Sequence, residues 1–367
     1  MTFYMNLPIP AHRYSRQINL PQFGLEAQNL LKKASVLVVG AGGLGCPVLQ
    51  YLVATGVGKI VVMDDDKVDI TNLHRQVLYN EEDIGHLKSH IAYNKLQKVN
   101  TEVVIEYSNQ RLTSENAKRF IAEHQVVVDG SDNFATRYLV NDTCVLLNKP
   151  FVFGSVYQYK GQASVFNFNS LEGKKSPTYR CLYPHPPNPE TVPNCETGGV
   201  LGPLVGIIGS MMALETIKII TGIGQVLSGR LLIVNGLDFT IQEIQFDHNP
   251  DIIITELIDY EEFCDIKKNM EISVKEFKKL QSNGTDIQLI DIRQGYEYDY
   301  KNIGGINIPL TDMDFMLGQI GNHIVKTKKA IIHCSSGVNS KIIVEILRAS
   351  GNENVFSLEG GIEAYLK

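Results

Sequence analysis

The chain has 367 residues, 44% of them hydrophobic, which is enough for two or three domains with separate cores. Its formal net charge of −6 argues against wholesale nucleic-acid binding, while leaving room for a local basic pocket. The six cysteines (Cys46, Cys144, Cys181, Cys195, Cys264 and Cys334) form no CxxC pair, which argues against a disulfide scaffold and fits a reducing cytoplasm.

Residues 1–35 read as an arm followed by an amphipathic helix, and the start lacks the charged-then-apolar pattern of a signal peptide. A buried strand at 36–39 then runs into the glycine turn GAGGLG, 40–45. A helix follows, and a second apolar run, 59–63, stops at Asp64. This is a nucleotide-binding βαβ unit with its acid near the expected distance, about twenty residues on. Gly40 permits the tight turn, Gly42 and Gly43 let backbone approach phosphate, and Gly45 lets helix and strand pack closely. The helix N-terminus adds donors and a favourable dipole. Asp64 is the expected ribose ligand, with Asp66 a second candidate beside it. Asn72, Arg75 and Gln76 follow within a dozen residues of Asp64, and Lys88 a little later. Two fixed cations near the phosphates suit a triphosphate undergoing chemistry better than a dinucleotide that only docks.

The later runs VVIEYS (103–108), VVVDGSD (126–132) and FVFGSV (151–156) read as further strands of one α/β sheet. Asp129-Gly130-Ser131-Asp132-Asn133 then falls at the carboxyl edge, where open α/β sheets bind ligands. A carboxylate there, Asp132, can hold Mg²⁺ against phosphate; the bland alternative is an acidic loop capping the helix that starts near Asn133. The segment 161–168 alternates like a strand, and 169–197 is a loop with six prolines between 177 and 193. The apolar run 201–221 carries Glu215 and Lys218 and reads as a buried or interface helix rather than a membrane span. Residues 230–246 read as a hairpin and 247–271 as a polar linker. A new pattern follows: a helix at 273–280, strands at 287–293 and 328–334, a helix after Ser340 and a last strand at 355–358.

Residues 13–245 resemble the MoeB/ThiF/HesA-type adenylyltransferases, relatives of the ubiquitin-activating enzymes. The resemblance rests on RYSRQINL (13–20), GAGGLG (40–45), DDDKVDITNLHRQ (64–76), IGHLK (84–88), DGSDNFATRYLVN (129–141) and CETGGVLGPLVGIIGS (195–210). It implies adenylation of the C-terminal glycine of a small ubiquitin-like sulfur carrier. It also implies that Asp64 binds ribose, that Asn72, Arg75 and Lys88 hold the triphosphate, and that Asp132 serves adenylation through Mg²⁺. Arg16 resembles the family's arginine finger, supplied across a homodimer interface. Many members hold zinc with two CxxC pairs. Here the first pair reads Thr178-Tyr179-Arg180-Cys181, and the place of the second, 251–255, has no cysteine. His185 and His248 are conceivable substitutes, but no zinc site is expected. Related enzymes place a reactive cysteine where Cys195 stands; the alternative is an ordinary loop thiol.

Residues 272–367 resemble a rhodanese domain, through 291–310, HCSSGVNSK (333–341) and LEGGIEAYL (358–366). The resemblance implies that Cys334 carries sulfane sulfur as a persulfide, its charge held by backbone N–H groups at a helix N-terminus. Asn339 stands where many such loops carry arginine.

The expected architecture is α/β: a Rossmann-like ATP-binding adenylyltransferase domain over 1–246, a linker over 247–271, and a smaller rhodanese-like domain over 272–367. The expected enzyme is a cytoplasmic homodimer that adenylates a Gly-Gly-ending carrier and passes it sulfur from Cys334. The persulfide would come from a cysteine desulfurase or thiosulfate, and the product would serve molybdopterin or thiamin-thiazole synthesis; no nucleic acid or membrane is involved. Two other readings stay open: a rhodanese-like domain that only binds, and an NAD-dependent dehydrogenase on the same βαβ turn.

Overall fold

The computed structural model describes residues 13–168, 176–186, 199–264, 270–310, 320, 323–325, 328–349, 352 and 354–366. The chain divides into two compact units, Met1–Cys264 and Asp265–Lys367.

The first unit is built on an eight-stranded sheet of order β3-β2-β1-β4-β5-β6-β7-β8. Its strands are β1 (Ser35–Val39), β2 (Lys59–Met63), β3 (Val104–Ser108), β4 (Val126–Asp129), β5 (Phe151–Tyr157), β6 (Lys160–Phe166), β7 (Arg230–Asn235) and β8 (Ile241–Gln245). The first five pair in parallel, and β5 to β8 in antiparallel fashion. Its helices are α1 (Ser15–Ile18), α2 (Gly24–Lys33), α3 (Gly45–Thr55), α4 (Lys88–Val99), α5 (Ala117–Ala122), α6 (Phe134–Leu146), α7 (Tyr179–Leu182), α8 (Gly202–Thr221) and α9 (Tyr260–Cys264).

The unbroken apolar runs of β1 and β4 follow from cover on both faces. Val36, Val38, Val126 and Val128 enter one core, with Leu49 and Leu52 of α3 and Ile208 and Met212 of α8. Leu37, Val39 and Val127 enter the other, with Tyr138 of α6 and Tyr179 of α7. Helix α8 is long and apolar enough to cross a membrane, yet Leu204, Val205, Ile208 and Met212 are buried in the protein core. Its other side leaves Ile207 and Leu214 exposed beside Tyr51 and Val77, an apolar strip.

Part of the expected linker is core instead. Within 247–271 the chain forms α9, and Leu257, Tyr260 and Phe263 pack into the second core, with Tyr260 4% exposed. Glu261 is exposed on a helix whose Tyr260 and Phe263 face in.

The second unit is a parallel sheet of order β11-β10-β12-β13-β9. Its strands are β9 (Glu271–Ile272), β10 (Ile287–Asp291), β11 (Ile306–Asn307), β12 (Lys329–His333) and β13 (Val355–Leu358). Its helices are α10 (Val274–Ser282), α11 (Gly295–Tyr300), α12 (Val338–Ala349) and α13 (Gly361–Tyr365). Ser273 caps α10 by accepting the Glu276 N–H.

Candidate functional site

The strand order reverses between β1 and β4, and the two strand ends open the crevice where such sheets bind ligands. Backbones meet closely there. A Cβ on Gly45 would lie 2.0 Å from the Gly40 carbonyl oxygen, and one on Gly40, at φ +91°, 2.7 Å from that of Gly130. Gly43 makes room for a different neighbour: its missing side chain is replaced by Val205 of α8, with the Arg75 stem 3.5 Å away. Gly42 faces the Gln76 amide at 3.6 Å.

The Ala41 peptide is clamped on both sides. Its N–H donates to Asp64 Oδ2 at 2.7 Å, and its carbonyl accepts the Tyr79 hydroxyl at 2.8 Å. Burial pushes the Asp64 carboxyl up to about 6, against the pull of the Ala41 N–H and the Lys88 charge. Burial likewise keeps the Tyr79 hydroxyl protonated, hence a donor. Gln76 is 3% exposed, and its Oε1 has no hydrogen-bond partner among the described residues. Cys46 sits beside this loop, but burial pushes its thiol up to about 12, so it is no nucleophile.

Lys88, the first residue of α4, is 5% exposed, and its ammonium pairs with Asp66 Oδ2 at 2.9 Å. Asp66 therefore sets the position of this cation. Arg75 Nη2 donates to Asn72 Oδ1 at 2.7 Å and Nη1 to the Thr71 carbonyl at 3.2 Å.

Across the crevice, the buried Asp129 carboxylate accepts from Ser131 Oγ at 2.5 Å and Arg137 Nε at 3.2 Å. The Arg137 guanidinium stacks 4.9 Å from the Phe153 ring centroid and bonds the Ser131 carbonyl at 3.0 Å. This pair fixes the 129–133 loop; removing one partner of such a buried pair costs about 3–5 kcal/mol. Asn133, not Asp132, caps α6, accepting the Thr136 N–H at 2.9 Å. Asp132 is left exposed, with no ion pair or hydrogen bond among the described residues, so its carboxylate is available to a hard cation.

Arg16 is remote from this crevice in its own chain. The neighbouring Gln17 donates to the Thr55 carbonyl at 2.9 Å, at the far end of α3. That helix begins at the glycine loop and is 11 residues long, about 16 Å.

At the position where the sequence resemblance raised a zinc pair, the Cys181 sulfur accepts the Thr178 and Asn249 N–H groups at 3.4 Å each and lies 4.0 Å from His248 Nδ1. Among the described residues, no group of three or more His, Cys, Asp or Glu is placed to hold a metal ion. Cys195 lies outside the described residues.

In the second unit Cys334 follows β12 and is 6% exposed. Its sulfur accepts the Gly337 N–H at 3.2 Å and lies 3.6 Å from Ser340 Oγ, which in turn is 2.9 Å from Ser357 Oγ. Among the described residues one backbone N–H and one hydroxyl thus face the sulfur, where the sequence suggests a ring of N–H groups. The α13 end stitches the loop, with Ile362 N–H on the Cys334 carbonyl at 2.9 Å and Glu363 N–H on that of Ser335 at 3.1 Å. Asn339 is exposed. Beneath the loop, Arg293 grips the buried Asp291. His333, fully buried, lies 3.7 Å from Asp291 Oδ2; burial holds its imidazole below the ordinary value and so neutral.

The pattern of the ThiF family matches residues 14–252, and that of the rhodanese-like domain residues 273–367. A sulfur carrier protein adenylyltransferase of Thermus thermophilus is 50% identical over 262 residues, covering 70% of this chain and 97% of that protein. An adenylyltransferase and sulfurtransferase MOCS3 of Aedes aegypti is 39% identical over 382 residues, covering 96% of this chain and 86% of its own. Among solved structures, E. coli MccB with ATP superposes with a TM-score of 0.57 at 23% identity, over 68% of this chain and 75% of that one, which speaks for the fold alone. Matches of this length and identity make the chain a member of the ThiF family, with a rhodanese-like domain following its ThiF domain.

Proposed function

We propose that this chain uses ATP to adenylate the C-terminal glycine of a small ubiquitin-like sulfur-carrier protein, and then gives the activated carbon a sulfur atom carried on Cys334. One observation supports this above others: the same chain holds a crevice whose glycine loop is bonded to Asp64 and whose rim exposes Asp132 and, in its second unit, a cysteine held by a loop N–H.

The carrier carboxylate attacks the α-phosphorus and pyrophosphate leaves. Both reactants are anions, so catalysis is chiefly charge neutralisation and positioning. Asp64 orients the ribose, while Asn72, Arg75 and Lys88 hold the phosphates. The exposed Asp132 fits Mg²⁺, which would supply charge neutralisation at phosphate oxygens. The terminal sulfur of the Cys334 persulfide then attacks the acyl carbon and AMP leaves, giving an acyl disulfide. A thiolate, for which Cys195 is the candidate, attacks the Cys334 sulfur. This releases the carrier thiocarboxylate and leaves a protein disulfide for an external dithiol to reduce. The persulfide comes from a cysteine desulfurase or thiosulfate. The enzyme works as a cytoplasmic homodimer without zinc, and its product feeds sulfur insertion of the molybdopterin or thiazole kind.

The test is ATP–pyrophosphate exchange with each Gly-Gly-ending carrier of the source cell added singly. Stimulation by one carrier is expected and names the pathway; tight ATP binding without stimulation by any carrier overturns the reading.

A second expectation concerns pH. Ribose hydroxyls donate to a carboxylate, so nucleotide selects ionised Asp64. Because burial raises this group to about 6, ATP affinity should weaken about ten-fold per pH unit below that value and level off above it. Asp64→Asn cannot titrate; the same slope in that variant would assign the effect elsewhere.

The carrier's body needs a surface beside the crevice. The β5–β6 and β7–β8 turns lie at the same carboxyl edge, because β7 runs parallel to β5. They expose Tyr159, Leu237 and Phe239, the last 71% exposed. Phe239→Asp is expected to raise the carrier KM about ten-fold or more and leave ATP affinity unchanged. An unchanged carrier KM would move the docking surface off this rim.

A further inference from the structure

The segment that carries Asn72 and Arg75 also packs on the glycine loop. A Cβ on Gly43 would lie 3.5 Å from the Arg75 stem, and one on Gly42 3.6 Å from Gln76 Nε2. Tyr79, 6% exposed, donates its hydroxyl to the Ala41 carbonyl at 2.8 Å. The same carbonyl lies 3.4 Å from the buried Cys46 Sγ, a weaker donor. Both donors are buried, so this carbonyl points into the protein. In a planar trans peptide the N–H points opposite to the carbonyl. The N–H on that peptide is Gly42's, and it is therefore turned away from Tyr79 and Cys46. Gly42 is only half-buried, and its N–H has no partner among the described residues. The Tyr79 oxygen also lies 3.3 Å from the Lys88 carbonyl at the start of α4, so one hydroxyl ties the glycine loop to the element that bears Lys88.

We propose that Tyr79 is a positioning residue for the nucleotide phosphates. By holding the Ala41 carbonyl inward it presents the Gly42 N–H to a phosphate oxygen in the crevice, and it keeps the loop in place against Lys88. The proposal rests on the ATP reading above. Tyr79 touches no reacting atom and acts through the peptide it holds. Without its hydroxyl the carbonyl keeps only the Cys46 thiol. The 41–42 peptide is then free to turn, so that an acceptor rather than a donor faces the phosphates. The Ala41 N–H belongs to the preceding peptide and is held separately by Asp64, so the ribose contact should survive. The loss should fall on the phosphates alone.

Tyr79→Phe tests this, because it removes the hydroxyl and keeps the ring in its core. Binding of ATP and of adenosine, which has no phosphate, is measured by calorimetry on the full chain. KM and kcat for ATP are measured in carrier-dependent ATP–pyrophosphate exchange. ATP affinity is expected to fall about ten-fold or more, the size of one hydrogen bond to a charged group, and adenosine affinity to stay within about two-fold. KM for ATP should rise to match while kcat stays within about two-fold, since the donor meets ground state and transition state alike. A merely structural role would lower the melting temperature and leave the ratio of the two affinities unchanged; that result overturns the proposal. Both affinities are read on folded protein, so a reduced folded fraction does not alter the ratio. Tyr79→Met also lacks the donor and should give the same ratio, which keeps the test decisive where the phenylalanine variant does not fold. Wild-type protein that fails to bind ATP would overturn the nucleotide reading, and the proposal with it.

Discussion

Mixing two inactive proteins, Arg16→Ala and Asp132→Ala, should restore ATP–pyrophosphate exchange to about a quarter of the wild-type level. The expectation follows from where each residue sits. Asp132 lies at the carboxyl edge of β4, at the mouth of the crevice. Arg16 lies next to Gln17, which is bonded at the opposite end of α3. An arginine side chain is shorter than that helix, so if Arg16 supplies charge to a reacting phosphate, the phosphate belongs to a second copy. Each variant alone should lose about a hundred-fold or more, the usual cost of removing one preorganised charge from a phosphoryl transition state. In a two-fold dimer of the two variants, one site carries both lesions and the other neither. Random exchange of subunits makes about half the dimers mixed, each with one intact site of two, hence the quarter. No recovery, with subunit exchange verified by mass, would place Arg16 outside the chemistry or in its own chain's site. The exposed strip of Tyr51, Val77, Ile207 and Leu214 offers an apolar face for such a dimer.

Sequence revealed those parts of the structure whose physics is local. Four consecutive apolar residues between Val36 and Val39 require cover on both faces, and the structure covers both. GAGGLG demands contacts that only missing side chains allow, and Gly40, Gly45 and Gly130 meet in that way. What sequence left obscure depends on residues distant in the chain. Tyr79 looks like one more core aromatic until its hydroxyl is found on the Ala41 carbonyl. Asp66 reads as a strand-end acid until Lys88 closes on it. Gln76 stood in a recognisable motif without a role; its amide lies against Gly42, and its Oε1 is unpaired among the described residues, which makes it a further candidate. The acidic stretch near α9 passed for linker because its partners, Asp142 and Arg180, lie more than a hundred and about eighty residues upstream.

Replacing Cys334 by serine should separate the two chemistries. Serine fits the same space and can accept the Gly337 N–H, so the loop should keep its form. Carrier-dependent exchange, which involves the first unit's crevice, should stay at the wild-type rate. Thiocarboxylate formation should fall by about a thousand-fold or more, because a hydroxyl cannot carry a persulfide and is a far weaker nucleophile at neutral pH. Intact mass should find the wild-type protein one sulfur atom heavier after exposure to a persulfide donor, and the variant unchanged. Burial leaves three of the other described cysteines poor substitutes, pushing the thiols of Cys46 and Cys264 up to about 12 and raising that of Cys144. Cys181, whose sulfur also accepts backbone N–H groups, from Thr178 and Asn249, is the described thiol to replace as a control. The loop itself raises the counter-reading, since an asparagine stands at 339 and, among the described residues, one backbone N–H and one hydroxyl meet the sulfur. If the variant forms thiocarboxylate at the wild-type rate, the second unit is a binding module and the sulfur reaches the adenylate by another thiol, with Cys195 the next to replace. If transfer is lost while exchange persists, the fusion places an activating site and a sulfur-bearing nucleophile on one chain.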